Sequence, residues 1–271
     1  MQRIGIVAGR GNFPILFARE AKKAGCACLA IAVKGNTKRP LRKYVDKLIW
    51  IRVSEFKRIA SIFKEENIRK VALAGQINPY TLFNPGIMAH PDLQDFFGKV
   101  EDRRADTVFN AFANKLQEAG LELLDSTLFL SNHMPGNAVL TQRKPSEGER
   151  KDIELGFKIA KHLGALDIGQ SVCLKNGAIL AVESIEGTDN TIRRAASLVK
   201  SAIVLVKVSK PSQDMRFDVP VVGLKTIKNL PRGSCMAIES SKTLFLDQQA
   251  AIGLADRKGI AVVAEGRPDF P

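Results

Sequence analysis

Along its first half the chain alternates short β-branched apolar runs with segments whose apolar residues recur every three or four positions. That alternation is the signature of βαβ units around a mostly parallel sheet. Strands are predicted over 3–8, 27–33, 47–51, 70–74 and 122–130, and helices over 14–24, 55–66 and 102–119. In the last helix Val108, Phe109, Phe112 and Leu116 share one face. From Tyr80 to Phe112 large apolar groups, among them Phe83, Met88, Phe96 and Phe97, accumulate outside a clear strand. Most of them read as core, and the remainder suits a greasy lip for an acyl chain or a membrane surface.

The pattern lapses over SNHMPGNAVLTQRKP at 131–145, which is rich in turn residues and carries two prolines. A domain boundary is placed there, with an N-terminal Rossmann-like parallel-sheet domain over 1–135 and a C-terminal α/β domain over 136–271. Ser146 with Glu149 three residues on makes a capping box for a helix over 146–163. Strands follow at 171–174, 178–184, 202–206, 219–223, 235–238, 243–246 and 260–264, with helices at 188–200 and 248–258.

Composition narrows the function classes. With 45% hydrophobic residues in 271, the chain can bury a real core, so a folded rather than a disordered chain is expected. The formal charge of +13 suits nucleic acid, anionic lipid headgroups or phosphorylated small molecules, without choosing among them. The opening residues lead straight into a strand, which predicts no signal peptide and a cytosolic protein. The longest apolar stretch, 26–33, is far short of the roughly 20 residues of a membrane span, so membrane contact is expected to be peripheral. Cys26, Cys28, Cys173 and Cys235 form no CxxC pair and read as buried, reduced small hydrophobes. His90, His133 and His162 are scattered, which leaves a Cys or His nucleophile little support.

Candidate chemistry concentrates between Asp167 and Asp218. There Glu183, Glu186, Asp189, Asp214 and Asp218 supply hard oxygen ligands, while Arg193, Arg194, Lys210 and Arg216 supply fixed positive charge. That mixture suits a divalent metal and a phosphate ester. The turn GTDN at 187–190 feeds a helix, with Thr188 or Asp189 as its cap and free N–H groups for a phosphate. Asp214, Arg216 and Asp218 alternate, so in an extended segment all three would point to one face and Phe217 to the other. In the first half, Gly5, Gly9 and Gly11 cross a strand-to-helix turn that suits an anion, although neither a Walker A loop nor GxGxxG is present. Gly75, Gln76 and Asn78 follow the fourth strand and emerge at the same sheet edge.

Taken together, AGRGNFP, LAGQINP, DSTLFL, DIGQSVCLKNGAILAVESIEGTD with the following Arg-Arg-Ala, and KPSQDMRFDVPVVG resemble the LpxI family, the UDP-2,3-diacylglucosamine diphosphatases of Gram-negative bacteria. The resemblance covers nearly the whole chain and implies hydrolysis of that lipid-linked nucleotide sugar to UMP and 2,3-diacylglucosamine 1-phosphate. It implies Mg²⁺ or another divalent cation, water attack on the sugar-side phosphorus, and a lipid held between two domains. The family's essential aspartate stands in an Asp-hydrophobic-Pro motif, here Asp218-Val219-Pro220. Asp218 is expected from that motif as catalytic residue and metal ligand; spacing alone adds Asp189 and Arg216 as catalytic residues and Glu183 and Asp189 as metal ligands. Expected substrate contacts are Gly9, Gly11, Gly75, Gln76, Asn78, Gln170, Gly187, Thr188, Arg193, Arg194, Lys210 and Gln213. Arg10 departs from the small residue expected in the first glycine turn, and Lys225 adds charge after VVGL.

Expected partners are the diacyl substrate and the cytoplasmic face of the inner membrane, and pairing with a second copy stays open. A nucleotide- or nucleic-acid-binding protein without hydrolase activity is the alternative, weakened by one Trp and two Tyr for stacking. A nicotinamide-dependent oxidoreductase is weakened by Pro14 and by Lys34 and Gly35 where an acidic residue would end the second strand.

Overall fold

A computed structural model describes residues 2–211 and 213–266. The chain divides into two units, the first running to Leu130 and including Asp214–Asp218, the second formed by Ser131–Gln213 and the chain from Val219 onward.

The first unit is built on β1 (Arg3–Ala8), α1 (Phe13–Lys23), β2 (Ala27–Val33), β3 (Lys47–Ile51), α2 (Arg58–Glu65) and β4 (Lys70–Ala74). Two short helices, α3 (Pro85–Met88) and α4 (Pro91–Phe97), then α5 (Ala105–Glu118) and β5 (Glu122–Leu123) complete it. The five strands form one parallel sheet in the order β3-β2-β1-β4-β5. This is the doubly wound arrangement expected of a Rossmann-like domain, and strand order reverses between β1 and β4. Near-continuous apolar runs such as ACLAIAV in β2 follow from helices covering both faces. Leu29, Ile31 and Val33 of β2 pack with Ile59, Phe63 and Leu116 from α2 and α5, while α1 packs against β1, β2 and β4.

The predicted strand at 122–130 ends after two residues. Its continuation turns because the Asp125 carboxylate accepts from both the backbone N–H and the hydroxyl of Thr127, at 2.6 Å each. This local Asx turn competes with the ladder. Residues 131–135, counted with the N-terminal domain from the sequence, belong to the second unit, and 214–218, counted with the C-terminal domain, belong to the first. Phe217 explains the second change: it is 3% exposed and packs in the core of the first unit.

The second unit contains β6 (Ala138–Val139), α6 (Glu147–Ala165), β7 (Ser171–Lys175), β8 (Ala178–Val182), α7 (Thr188–Val199) and β9 (Val204–Lys207). After the excursion come β10 (Val221–Gly223), α8 (Leu224–Asn229), β11 (Cys235–Glu239), β12 (Leu244–Leu246), α9 (Gln248–Arg257) and β13 (Ala261–Glu265). Its main sheet is mixed, in the order β6-β13-β11-β9-β7-β8, with β13, β11 and β9 parallel. Strands β10 and β12 pair separately. Helix α6 buries Ile153 and Phe157 against one set of strand residues, including Val172, Val206 and Val263. The alternate set, including Leu205, Met236 and Val262, packs with Ile192, Ile227 and Ala251 of α7, α8 and α9.

The capping box is formed: the Ser146 hydroxyl accepts from Glu149 N at 3.3 Å, and the Glu149 carboxylate accepts from Ser146 N at 2.8 Å. That carboxylate also takes Arg143 at 2.8 Å, whose remaining donors reach the carbonyls of Ser234 and Gly259. One guanidinium thus ties the start of α6 to the turns before β11 and β13. All four cysteines are buried and unpaired. Burial pushes the Cys28 and Cys173 thiols up to about 12, so both are inert small hydrophobes.

Candidate active site

In the first unit the candidate residues meet where β1 and β4 end. The turn after β1 and the turn after β4 are zipped together: Gly9 N donates to Ala74 O at 2.8 Å and Arg10 N to Gln76 O at 2.7 Å. A Cβ on Gly9 would lie 2.6 Å from the carbonyl oxygens of Gly75 and Gln76. One on Gly75, whose φ is +81°, would lie 2.5 Å from Arg10 O. Glycine at these two positions therefore follows from backbone meeting backbone. Gly11 differs, because its φ of +94° demands glycine while no atom stands within 4 Å of a Cβ placed there. That open turn leads into α1.

Gln76, at the tip of the β4 turn, donates from Nε2 to Asp218 Oδ1 at 3.1 Å. The segment that presents Asp218 is docked by Ser126, a fully buried residue. Ser126 N donates to Met215 O at 2.9 Å, and its hydroxyl lies 2.6 Å from both Leu73 O and Arg216 O. Phe217 stacks on Phe109 with ring centroids 5.8 Å apart. Asp218 itself is half-buried and has φ of +53°, the left-handed region that Asp tolerates better than most residues.

The expected alternation of Asp214, Arg216 and Asp218 on one extended face is not what forms. Residues 215–217 make a turn, because Asp214 accepts from Arg216 N at 2.9 Å and from its guanidinium at 2.6 Å. Arg216 is thereby committed to Asp214, whose carboxyl it holds below the usual range. Asn78 uses its side-chain oxygen to cap its own turn, accepting from Tyr80 N at 3.2 Å.

In the second unit the polar groups gather at the ends of β9 and β11. Lys207, the last residue of β9, is buried and donates to Thr188 Oγ1 at 2.8 Å, Ser171 Oγ at 3.2 Å and Glu183 Oε2 at 3.4 Å. Thr188 in turn donates to Glu183 Oε1 at 2.7 Å. Burial pushes the Glu183 carboxyl upward, but the Lys207 charge and the two hydroxyls outweigh it and hold it below the ordinary range. Lys210 reaches Asp167 at 2.5 Å, and Gln213 accepts from Lys210 N and from Gln170 at 3.2 and 3.3 Å. A third buried pair joins Lys161 to Glu239 at 2.9 Å.

Helix α7 starts after Gly187, which has φ of +78° and is its N-cap, in place of the expected Thr188 or Asp189. Thr188 turns back to Glu183 instead, and Asp189 contacts Lys225 at 2.7 Å and Asn229 at 2.9 Å. Arg194 is held by Glu186 and by Val182 O, at 2.7 and 2.8 Å. Arg193 donates from Nε to Asp189 O at 3.1 Å.

The expected three-carboxylate metal set is not assembled. Glu183 is occupied by Lys207 and Thr188, and Asp189 by Lys225 and Asn229. Among the described residues no group of three His, Cys, Asp or Glu side chains is placed to hold a metal ion. Asp218 alone still fits magnesium's habit of binding one or two carboxylates plus substrate phosphate oxygens. Two residues that order the site, Ser126 and Lys207, were missed by reading the sequence. The signal for Lys207 was a charge closing an otherwise apolar strand, and for Ser126 its place in DSTLFL.

Models of the LpxI N-terminal domain and the LpxI C-terminal domain match residues 3–133 and 136–263. The UDP-2,3-diacylglucosamine pyrophosphatase LpxI of Caulobacter vibrioides is 28% identical over 286 aligned positions, covering all of both chains. Among solved structures, the biotin carboxylase subunit of pyruvate carboxylase is 15% identical with a TM-score of 0.28, covering 74% of this chain and 40% of that one. A UDP-glucose-4-epimerase from Stenotrophomonas maltophila is 16% identical with a TM-score of 0.29, covering 74% of this chain and 64% of that one.

Removing Lys207 leaves the Glu183 carboxylate buried without its countercharge, so Lys207→Met is expected to destabilise the second unit by about 3–5 kcal/mol. Adding Glu183→Gln should recover most of that loss, as read by urea unfolding. Because Glu183 titrates below its usual value, its contribution is present above the unfolded carboxylate range and lost as pH falls through the lower folded value. The double variant should therefore show a flatter acid limb of stability than the native chain.

Proposed function

The chain belongs to the LpxI family, and we propose that it hydrolyses the diphosphate of UDP-2,3-diacylglucosamine to UMP and 2,3-diacylglucosamine 1-phosphate in lipid A biosynthesis. The observation that carries this reading is Asp218: a half-exposed carboxylate in a left-handed backbone conformation, held by Gln76 where the strand order of the first sheet reverses. Ligands of open α/β sheets bind at such reversals.

In the proposed reaction Asp218 orients a water molecule in line with the sugar-side phosphorus and accepts its proton as the P–O bond forms. UMP leaves as the bridging bond breaks. The Gln76 amide fixes the orientation of one carboxylate oxygen. The open turn at Gly11 before α1 is suited to close approach of an anionic group.

Magnesium belongs to the proposal: it would supply charge neutralisation at the diphosphate oxygens, and Asp218 would hold it through the water whose proton it accepts. Glu183 and Asp189 are assigned instead to the ion pairs in which they stand. The proposal also places the protein in the cytoplasm, acting at the inner face of the membrane that holds its diacyl substrate. No helix of the described residues is long and apolar enough to cross a membrane.

Hydrolysis in ¹⁸O-water tests the reaction directly: label is expected in 2,3-diacylglucosamine 1-phosphate, and label in UMP would move the attack to the other phosphorus. Asp218→Ala is expected to lower turnover by a factor of about 10²–10⁴, the usual worth of a general base. Substrate affinity, measured by calorimetry, should persist in that variant. EDTA should silence the native enzyme and added Mg²⁺ restore it, whereas full activity in chelator would take the metal out of the proposal.

A further inference from the structure

Because β1 to β4 run parallel, the segments that follow them all emerge at one edge of the first sheet. That edge is basic. It carries Arg10 after β1, Lys34, Lys38 and Arg39 after β2, and Arg52 after β3, all exposed. No acidic residue occurs between Lys34 and Lys43. The acids nearest in sequence to Arg52 and to the end of α4 are already engaged, Glu55 by Arg58 and Asp95 by Lys57 and Lys99.

The segment after β4 adds exposed aromatic groups to the same edge. Tyr80 is 52% exposed and Phe83 61%. This segment is joined to the basic one directly, since Asn78 N donates to Asn36 Oδ1 at 2.7 Å. Large aromatic side chains left in water beside a run of unopposed cations are the chemistry of an interfacial anchor: the rings enter the headgroup region while the cations meet lipid phosphates.

We infer that this edge of the first unit docks on an anionic lipid surface, with Tyr80 and Phe83 as the inserted groups and Lys34, Arg39 and Arg52 as the electrostatic contacts. The inference rests on the proposed diacyl substrate, which explains why a membrane rather than a nucleic acid is the occupant. Docking there brings the edge that carries Gln76 and Asp218 towards the bilayer in which that substrate resides.

Co-sedimentation of the full chain with unilamellar vesicles tests the inference. Capture by phosphatidylglycerol-containing vesicles is expected, with little capture by pure phosphatidylcholine and release by high salt. Lys34→Glu with Arg39→Glu should weaken capture by a factor of about 10²–10³, since two reversals change the surface by four units of charge. Phe83→Ser should weaken it on its own. Both variants should hydrolyse detergent-dispersed substrate at the native rate, which also certifies their folding. Native-like capture of both variants, equal capture by neutral and anionic vesicles, or displacement of the vesicles by RNA at lower concentration than by soluble lipid headgroups would overturn the inference. Hydrolysis without vesicle capture would remove the docking face and leave the enzyme reading standing. Capture that depends on these residues without any hydrolysis would do the reverse.

Discussion

Everything at the candidate site depends on how five residues of the chain's last third are held on a unit that ends at Leu130. The anchor is the Ser126 hydroxyl, which stands 2.6 Å from two carbonyl oxygens, one at the end of β4 and one at Arg216. A hydroxyl has a single proton, so it serves the two acceptors in turn or by sharing, and neither carbonyl is left dry and unmatched. With Ser126 N on Met215 O, the contact works like a strand pairing one residue long. Phe217 then supplies the apolar part, and burying such a ring is worth about 1.5–3 kcal/mol. The left-handed backbone of Asp218 costs about 1–3 kcal/mol. The two terms are of equal size, so the strained aspartate persists because its neighbour is buried.

The second unit uses charge differently. Lys207–Glu183, Lys161–Glu239 and Lys210–Asp167 are buried pairs whose lysines lie at, or just past, the ends of β9 and α6. Desolvation takes back most of what such pairs gain, so they are poor stabilisers compared with apolar groups of equal volume. Their consequence is positional: Lys207 can satisfy its three donors only by bringing Ser171, Thr188 and Glu183 to one point. The start of β7, the end of β8 and the first turn of α7 are thereby registered at one edge of the sheet.

Much of this was legible in the sequence. The parallel first sheet, the capping box at Ser146 and the buried reduced cysteines follow from periodicity and local chemistry, which report on neighbours within a few residues. The two-residue β5 was misjudged because an Asx turn at Asp125 outweighs the propensity of the run Leu128-Phe129-Leu130. The ladder at Asp214 to Asp218 was misjudged for the same kind of reason, since Asp214 folds back on Arg216. Family resemblance pointed to Asp218, but local reading had no means of seeing that its amide partner lies 142 positions away.

Proximity in sequence misled most about the carboxylates, which looked like one metal-binding cluster. Glu183, Glu186, Asp189 and Asp214 each face a lysine or arginine within their own unit. Glu183 and Asp214 are lowered in basicity by those partners, which suits a structural tie better than proton transfer. Asp218 is set apart by its backbone, a left-handed conformation held beside the buried Phe217, and the Gln76 amide orients one of its oxygens. Density of acidic residues is thus a weak guide to a reactive one. For Asp218 the discriminating feature is the strain at which its backbone is held, and it becomes visible only once Phe217 has chosen its core.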